Sequence, residues 1–383
     1  MVIYYVVIYN TDINIAGNIC AAGVIKQPLS QNQIQYLAHD SSGIKNACAM
    51  GVSMNKYIEL HAHIDGAITV DIAKKLAKLQ NVMLEAKNDE ELCSMLTVSD
   101  DCESLNDFLK CFELPLKLLQ TKEGLSEAVY LILEDMRKNN VIYAELRFAP
   151  QLHTQQGMTQ KMAIEAALDG IKRALIPANL ILCCMRGDGN EEQNDLTVEL
   201  AHKYLVKDGG VVAVDLAGAE SLYPNTSYKT LFKKVSEYGI PFTIHAGEAD
   251  GAGSVMEAVN MGAARIGHGV RIAGNKSVIE AVIKNNITLE MCPTSNRQTR
   301  AVQDMDDYPV MDFIKGGIKV TINTDDPAIE GTTLPQEFEY LKNSFGLTQK
   351  QVRLLCNNAI DAAFTSEQMK QKLRQTIIQQ ETL

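Results

Sequence analysis

From Ile58 onward the chain alternates short apolar runs, rich in β-branched residues, with amphipathic stretches at helical spacing. The runs at 58–61, 142–148, 180–185, 211–216, 241–244, 264–266, 287–291 and 318–322 read as eight strands. Among the intervening stretches, Leu125, Val129, Ile132, Leu133 and Met136 fall three and four apart on one buried face, and that helix is expected to end at Asn139 and Asn140. Ser254 with Glu257, and Thr348 with Gln351, have the spacing of a capping box, and Gly262 is placed to close the first of these helices. Eight such alternations predict an α/β fold of parallel strands closed into a (β/α)8 TIM barrel.

About 80 residues separate the first two strands, more than one crossover helix needs, so a helical insertion is expected there. Within the region of about 88–140, Leu105, Phe108, Leu109 and Phe112 form an apolar stripe placed to act as a lid over the barrel mouth. The same stripe also suits plain packing against a neighbouring helix. Residues 1–53 lack this periodicity and end just before Met54. They read either as an N-terminal extension or as a start set too far upstream; the second is preferred, leaving one barrel domain over 54–383. The apolar run at 1–9 is far below the roughly 20 residues of a membrane span and lacks a basic flank, so neither a membrane anchor nor a signal peptide is expected.

Composition narrows the partners. A length of 383 residues accommodates a barrel of about 250 residues plus insertions. The formal charge of -11 speaks against a nucleic-acid surface, which needs clustered Lys and Arg, and leaves a small molecule as the expected partner. Nine scattered cysteines with no C-x-x-C pair suggest reduced thiols in a cytoplasmic protein, not a disulfide framework or a cysteine metal site. Nothing in the chain specifies an oligomeric state.

The chemistry gathers around residues 57–68, Y-I-E-L-H-A-H-I-D-G-A-I. Successive side chains of a strand face opposite ways, so His61 and His63 point to one side, and Asp65 continues the line if the chain stays extended. In a barrel, reactive groups stand at the C-terminal ends of strands. There the fifth strand gives His245-Ala-Gly-Glu248, the sixth Gly267-His268-Gly269 and the eighth Asn323-Thr324-Asp325-Asp326. Each alone has a structural explanation: a strand-end histidine is often simply hydrogen-bonded, and Asp-Asp-Pro is a common helix start. Four of the seven histidines converging on one rim favour a metal site instead. Three imidazoles and a carboxylate suit Zn²⁺ with a position left for water, whose pKa the ion lowers to roughly 7. Glu248 is then free to donate a proton, and one histidine stays off the metal to orient or deprotonate the water. With no lysine at 211–218 to bridge a second ion, one metal is expected.

In order along the chain stand H-A-H-I-D-G-A, D-L-A-G-A-E, H-A-G-E, G-H-G, C-P-T-S-N and N-T-D-D-P, and by this set residues 56–358 resemble the adenosine deaminase family. The resemblance implies a (β/α)8 barrel with one zinc ion held by His61, His63, His245 and Asp325. It implies further that Glu248 protonates the purine ring nitrogen beside the attacked carbon and that His268 orients or deprotonates the water. The backbone N–H of Gly218 and the carboxyl of Asp326 would hold ring nitrogens, and Asp65 the ribose hydroxyl. The implied activity is deamination of adenosine, with 2'-deoxyadenosine as a further substrate, to inosine in purine salvage. Adenine or a modified adenosine is the alternative substrate; a carboxylate at Asp65 repels a phosphate and disfavours AMP. A non-catalytic nucleoside-binding or growth-factor relative is the alternative of another class, against which the complete ligand set stands. Ala62 between the histidines and the 53-residue start depart from the family pattern without touching the chemistry.

Overall fold

The eight strands are parallel and neighbour one another in chain order, which brings all their C-terminal ends to one face. They are β1 (Tyr57–His63), β2 (Val141–Phe148), β3 (Ala178–Met185), β4 (Val211–Ala217), β5 (Thr243–Ala246), β6 (Arg265–His268), β7 (Thr288–Met291) and β8 (Lys319–Ile322). The structure, a computed structural model, describes residues 55–98 and 110–378. Strands β1 to β4 form one ladder and β5 to β8 another. Parallel bridges Val214↔Phe242 and Ala62↔Asp325 join the two ladders at both seams, so the sheet closes into the expected barrel. The second seam is made by the amide of Asp325, which donates to the His61 carbonyl at 2.8 Å, and by the amide of His63, which donates to the Asp325 carbonyl at 2.8 Å.

The outer layer follows the 3.6-residue pattern. Helix Lys122–Lys138 buries Leu125, Val129, Ile132, Leu133 and Met136, starts where the Thr121 hydroxyl accepts the Gly124 amide at 3.0 Å, and ends at Asn139 as expected. Each fully buried aliphatic side chain on such a face contributes about 1.5–3 kcal/mol relative to exposure. Between β1 and β2 the described residues also hold helices Val70–Gln80, Asp89–Leu96 and Glu113–Leu118, the expected insertion. Of the lid stripe, Leu105, Phe108 and Leu109 lie outside the described residues, as does the segment 1–53. Phe112 packs against Val98, Cys111 and Ile329.

Thr348 and Gln351 form the capping box expected of them, and Gly262 closes its helix in the left-handed region with φ of 91°. Ser254 does not cap. Helix Ala252–Met261 begins one turn earlier, at Gly251, and Ser254 lies inside it. Its hydroxyl donates to the buried Glu220 carboxylate at 2.6 Å, while Glu257 accepts the Thr226 amide at 3.1 Å. Ser254 thus sits within the first turn, where its hydroxyl donates to the anion and accepts from Asn225 instead of capping the helix.

Strand ends run beyond the apolar runs that marked them: β5 and β6 include His245 and His268, and β1 includes His63. Polar residues at a barrel mouth can be fully buried, which hydropathy does not register. In β1 the register against β2 slips between Glu59 and Ala62. Glu59 lines a crevice with Ile132 and Met136 of the outer layer, while His61 meets Glu290 and Arg147 inside the barrel. Regular alternation would place both residues on one face, so the bulge re-aims the histidine inward. The Glu59 carboxylate accepts the His61 amide at 3.0 Å, satisfying the donor at the slip.

His153 lies outside this cluster, buried after β2 with Nδ1 3.2 Å from the Leu119 carbonyl. Burial pulls its pKa from 6.5 to about 4, so the unfolded chain binds the extra proton between those values. The stability it lends is complete above pH 6.5 and fades as pH falls toward 4. His153→Gln, which keeps a donor for Leu119 but does not titrate, is expected to reduce the loss of unfolding free energy between pH 8 and 5 by about 2 kcal/mol. Chemical denaturation of both proteins at the two pH values checks this, and equal losses refute it.

Candidate metal centre and active site

At the barrel mouth the four strand-end histidines gather around Asp325, with His63 at the edge of the group. His61 Nε2 is 3.1 Å and His63 Nε2 3.4 Å from Asp325 Oδ1, and the Nε2 atoms of His63 and His245 are 3.3 Å apart. His268 Nε2 stands 3.7 Å from Asp325 Oδ2 and 3.4 Å from Glu248 Oε2. Ligand atoms of His61, His245, His268 and Asp325 all fall within 4.8 Å of one another. The Nε2 atoms of His61 and His268 are buried with no hydrogen-bond partner among the described residues. The lone pair left bare at His61, converging with His245 and a carboxylate, fits a divalent cation.

The far side of each ring distinguishes them. His61 Nδ1 lies 2.7 Å from Glu290 and His245 Nδ1 3.0 Å from Asp215. A carboxylate fixes the proton on Nδ1 and leaves the Nε2 lone pair for a metal. His268 is held differently. The Asn296 amide donates to its Nδ1 at 3.0 Å, and that amide is oriented by the Tyr308 hydroxyl, which donates to Oδ1 at 3.1 Å. With Nδ1 accepting, the proton of His268 sits on Nε2, toward Glu248.

Beneath the histidines the barrel interior carries buried charge. Arg147 donates to Asp215 and Glu290, both at 2.8 Å, and Arg265 to Glu145 at 2.6 Å and Glu290 at 2.5 Å. Burial alone raises the pKa of Asp215 and Glu290, but His245 and Arg147 for the first, and the two arginines for the second, hold them well below the carboxylate range. Both therefore stay ionised, ready to accept from the imidazoles.

On the other flank stand acids that resist ionisation. Burial lifts Asp65 to about 6. Burial, then the neighbouring Asp325 and Asp65, lift Asp326 well above its ordinary range, and Glu330 rises in the same way beside Asp325 and Asp326. One oxygen of Asp326 and one of Glu330 are buried without a hydrogen-bond partner among the described residues. Gly66 makes room for this group, because a Cβ there would lie 1.8 Å from Asp326 Oδ1. Gly218 follows the end of β4 with φ of 101°, against Met185 and Arg186.

The sequence left C-P-T-S-N without roles. Its short helix, Pro293–Gln298, points three side chains at the site: the Ser295 hydroxyl donates to Asp325 at 2.8 Å, Asn296 sets His268, and Thr299 just beyond donates to Glu248 at 3.1 Å. Nor did it find Glu290, Asp215, Arg147 and Arg265. Charged residues at alternate positions within strands, as in Y-A-E-L-R-F, are the signal that marks an ionic barrel interior.

A closed parallel barrel with a His/Asp cluster at the C-terminal mouth defines a metal-dependent hydrolase of the amidohydrolase kind. A family model described as adenosine deaminase matches residues 57–380, and the chain belongs to the adenosine deaminase family. It is 43% identical over 330 residues to an adenosine deaminase of Haemophilus ducreyi, covering 85% of this chain and 96% of the relative. To one of Clostridium botulinum it is 40% identical over 325 residues, covering 84% and 97%. Among solved structures, an adenine deaminase from Arthrobacter aurescens superposes with a TM-score of 0.76 at 25% identity, over 86% of this chain and all of that one. An amidohydrolase from Burkholderia ambifaria with bound Zn shares the fold, with a TM-score of 0.75 at 21% identity over 85% and 90% of the two chains.

If Asp215 fixes the His245 tautomer, Asp215→Asn should weaken metal binding by about 10- to 100-fold. Chelator competition on the folded variant measures it, and an unchanged affinity would show that the carboxylate has no such role.

Proposed function

We propose that the protein hydrolyses the C6 amine of adenosine, and of 2'-deoxyadenosine, to give inosine or deoxyinosine and ammonia, in cytoplasmic purine salvage. The observation that carries this reading is the placement of Glu248 beside His268 and Asp325 at one mouth, a proton carrier against a metal-fitting cluster. His61, His63, His245 and Asp325 would hold one zinc ion, through three imidazole nitrogens and a carboxylate oxygen. When bound, the ion supplies the Lewis acidity that makes water a nucleophile near neutral pH. His268 is kept off the metal in this reading, supported by Asn296, which leaves its Nε2–H to orient the attacking water.

Glu248 hands a proton to the ring nitrogen next to C6 as the water adds, neutralising charge moved onto the ring. Its carboxyl is steadied by Thr299. Asp326, buried and raised in pKa, suits donation to a purine nitrogen, and the Gly218 amide suits a second. Asp65 accepts from or donates to the ribose hydroxyl. The wall of Asp65, Asp326 and Glu330 presents carboxyl groups where a phosphate would need a cation, and this supports a nucleoside over AMP. The names of the relatives at 40–43% identity support it too, over the adenine deaminase at 25%. No helix among the described residues is long and apolar enough to cross a membrane.

Glu248→Gln is expected to lower kcat by about 10²- to 10⁴-fold while zinc content stays full. Loss of adenosine absorbance together with metal analysis reads both quantities, and near-normal turnover removes the role. In the parent protein, kcat/KM should be highest for adenosine among adenosine, adenine and AMP. A clear preference for either of the others overturns the substrate assignment.

A further inference from the structure

The D-L-A-G-A-E stretch ends in a glutamate to which neither the metal ligands nor the substrate contacts give a role. Glu220, 3% exposed beyond the end of β4, receives five hydrogen bonds on its carboxylate. The Gly247 amide and the Ser254 hydroxyl donate to Oε1, each at 2.6 Å. The amides of Glu248, Ala249 and Asp250 donate to Oε2 at 3.1, 2.7 and 3.0 Å. Four successive N–H groups curled round one anion form a nest, and Gly247, with φ of 73°, supplies the left-handed residue such a curl requires. A side chain at Gly247 would meet Val255 at 2.6 Å.

The nest is tied to the metal-fitting strand. Asn225 donates to the Ser254 hydroxyl and carbonyl, both at 2.9 Å, and Arg186 donates to Asn225 Oδ1 and to the His245 carbonyl, both at 2.7 Å. Burial by itself would raise the pKa of Glu220, but the Ser254 hydroxyl and the loop amides bring it below its ordinary value, as a charged acceptor needs.

We infer that Glu220 is a positioning residue for the reaction: its carboxylate fixes the backbone of residues 247–250 and thereby aims the Glu248 side chain. Thr299 Oγ1, donating at 3.1 Å, holds the other end of that side chain, which lies 3.4 Å from His268 Nε2. The inference rests on the proton-donor role proposed for Glu248. A displacement of about 1 Å in such a group costs on the order of 10²-fold in rate.

The test is a double-mutant cycle of Glu220→Gln with Glu248→Gln on the metal-loaded full chain, with metal content and thermal midpoint measured alongside. Glu220→Gln keeps the size and one acceptor oxygen but loses the charge. Alone it should lower kcat by about 10- to 100-fold with KM for adenosine changed less than about threefold. On the residual single-turnover rate of Glu248→Gln it should act less than about threefold, because the group it aims is already gone. Losses that multiply, an unchanged kcat, or a fall in kcat that follows loss of metal or fold overturn the assignment. Glu220→Asp, which keeps the charge but retracts it by one methylene, replaces Gln if that variant does not fold, and failure of both to fold assigns the nest to structure alone. Near-normal turnover in Glu248→Gln by itself removes the donor role beneath the inference, a different failure.

Discussion

The structure depends on a pair of backbone hydrogen bonds at the seam between the first and last strands. Asp325 donates its amide to the His61 carbonyl and accepts the His63 amide, so the residues that close the barrel are also those whose side chains meet at its mouth. Closure sets the distance between histidines and carboxylate with backbone precision, which no loop could match. It also makes the fit of the site a property of the whole barrel, since a small change in strand tilt anywhere is felt at the seam. Ala62, fully buried between the two histidines and bridged to Asp325, is the residue about which that seam turns.

The barrel was legible because its evidence is periodic and distributed. Eight apolar runs survive the misplacement of any one end, and the errors in β5 and β6 fell at residues whose burial hydropathy cannot register, His245 and His268. The chemistry-bearing strand ends were legible for a simple reason: histidine and paired aspartates are scarce, so their coincidence stands out. What was not legible depends on partners far away in sequence. Ser254 has a capping-box spacing but is taken by Glu220, 34 residues upstream. The bulge at Glu59 leaves no mark in composition, because the residues on both sides of it are buried whichever way they face. The hydrogen bond that sets His268 apart from the carboxylate-backed His61 and His245 comes from an asparagine on another element, a difference the histidines' own positions do not contain.

The charged interior explains how imidazoles can be held rigidly where packing alone would give only apolar walls. Arg147 and Arg265 neutralise three carboxylates, two of which back the histidine rings. Such a network is a poor source of stability, since burying charge costs several kcal/mol per ion before pairing returns it. Its value is directional: Asp215 and Glu290 each satisfy an arginine and an imidazole at once. Removing one partner leaves the others charged and buried, so the network tolerates no partial version of itself.

Two residues of the site, His268 and Asp325, have left-handed backbones, with φ of 62° and 63°. Outside glycine, asparagine, aspartate and histidine that conformation costs about 1–2 kcal/mol. A substitution at either position therefore passes two filters, one for side-chain chemistry and one for backbone shape. Cysteine or glutamate, competent donors elsewhere, meet the first and fail the second. Most replacements at these two positions therefore carry a backbone cost that is independent of whether a metal is held.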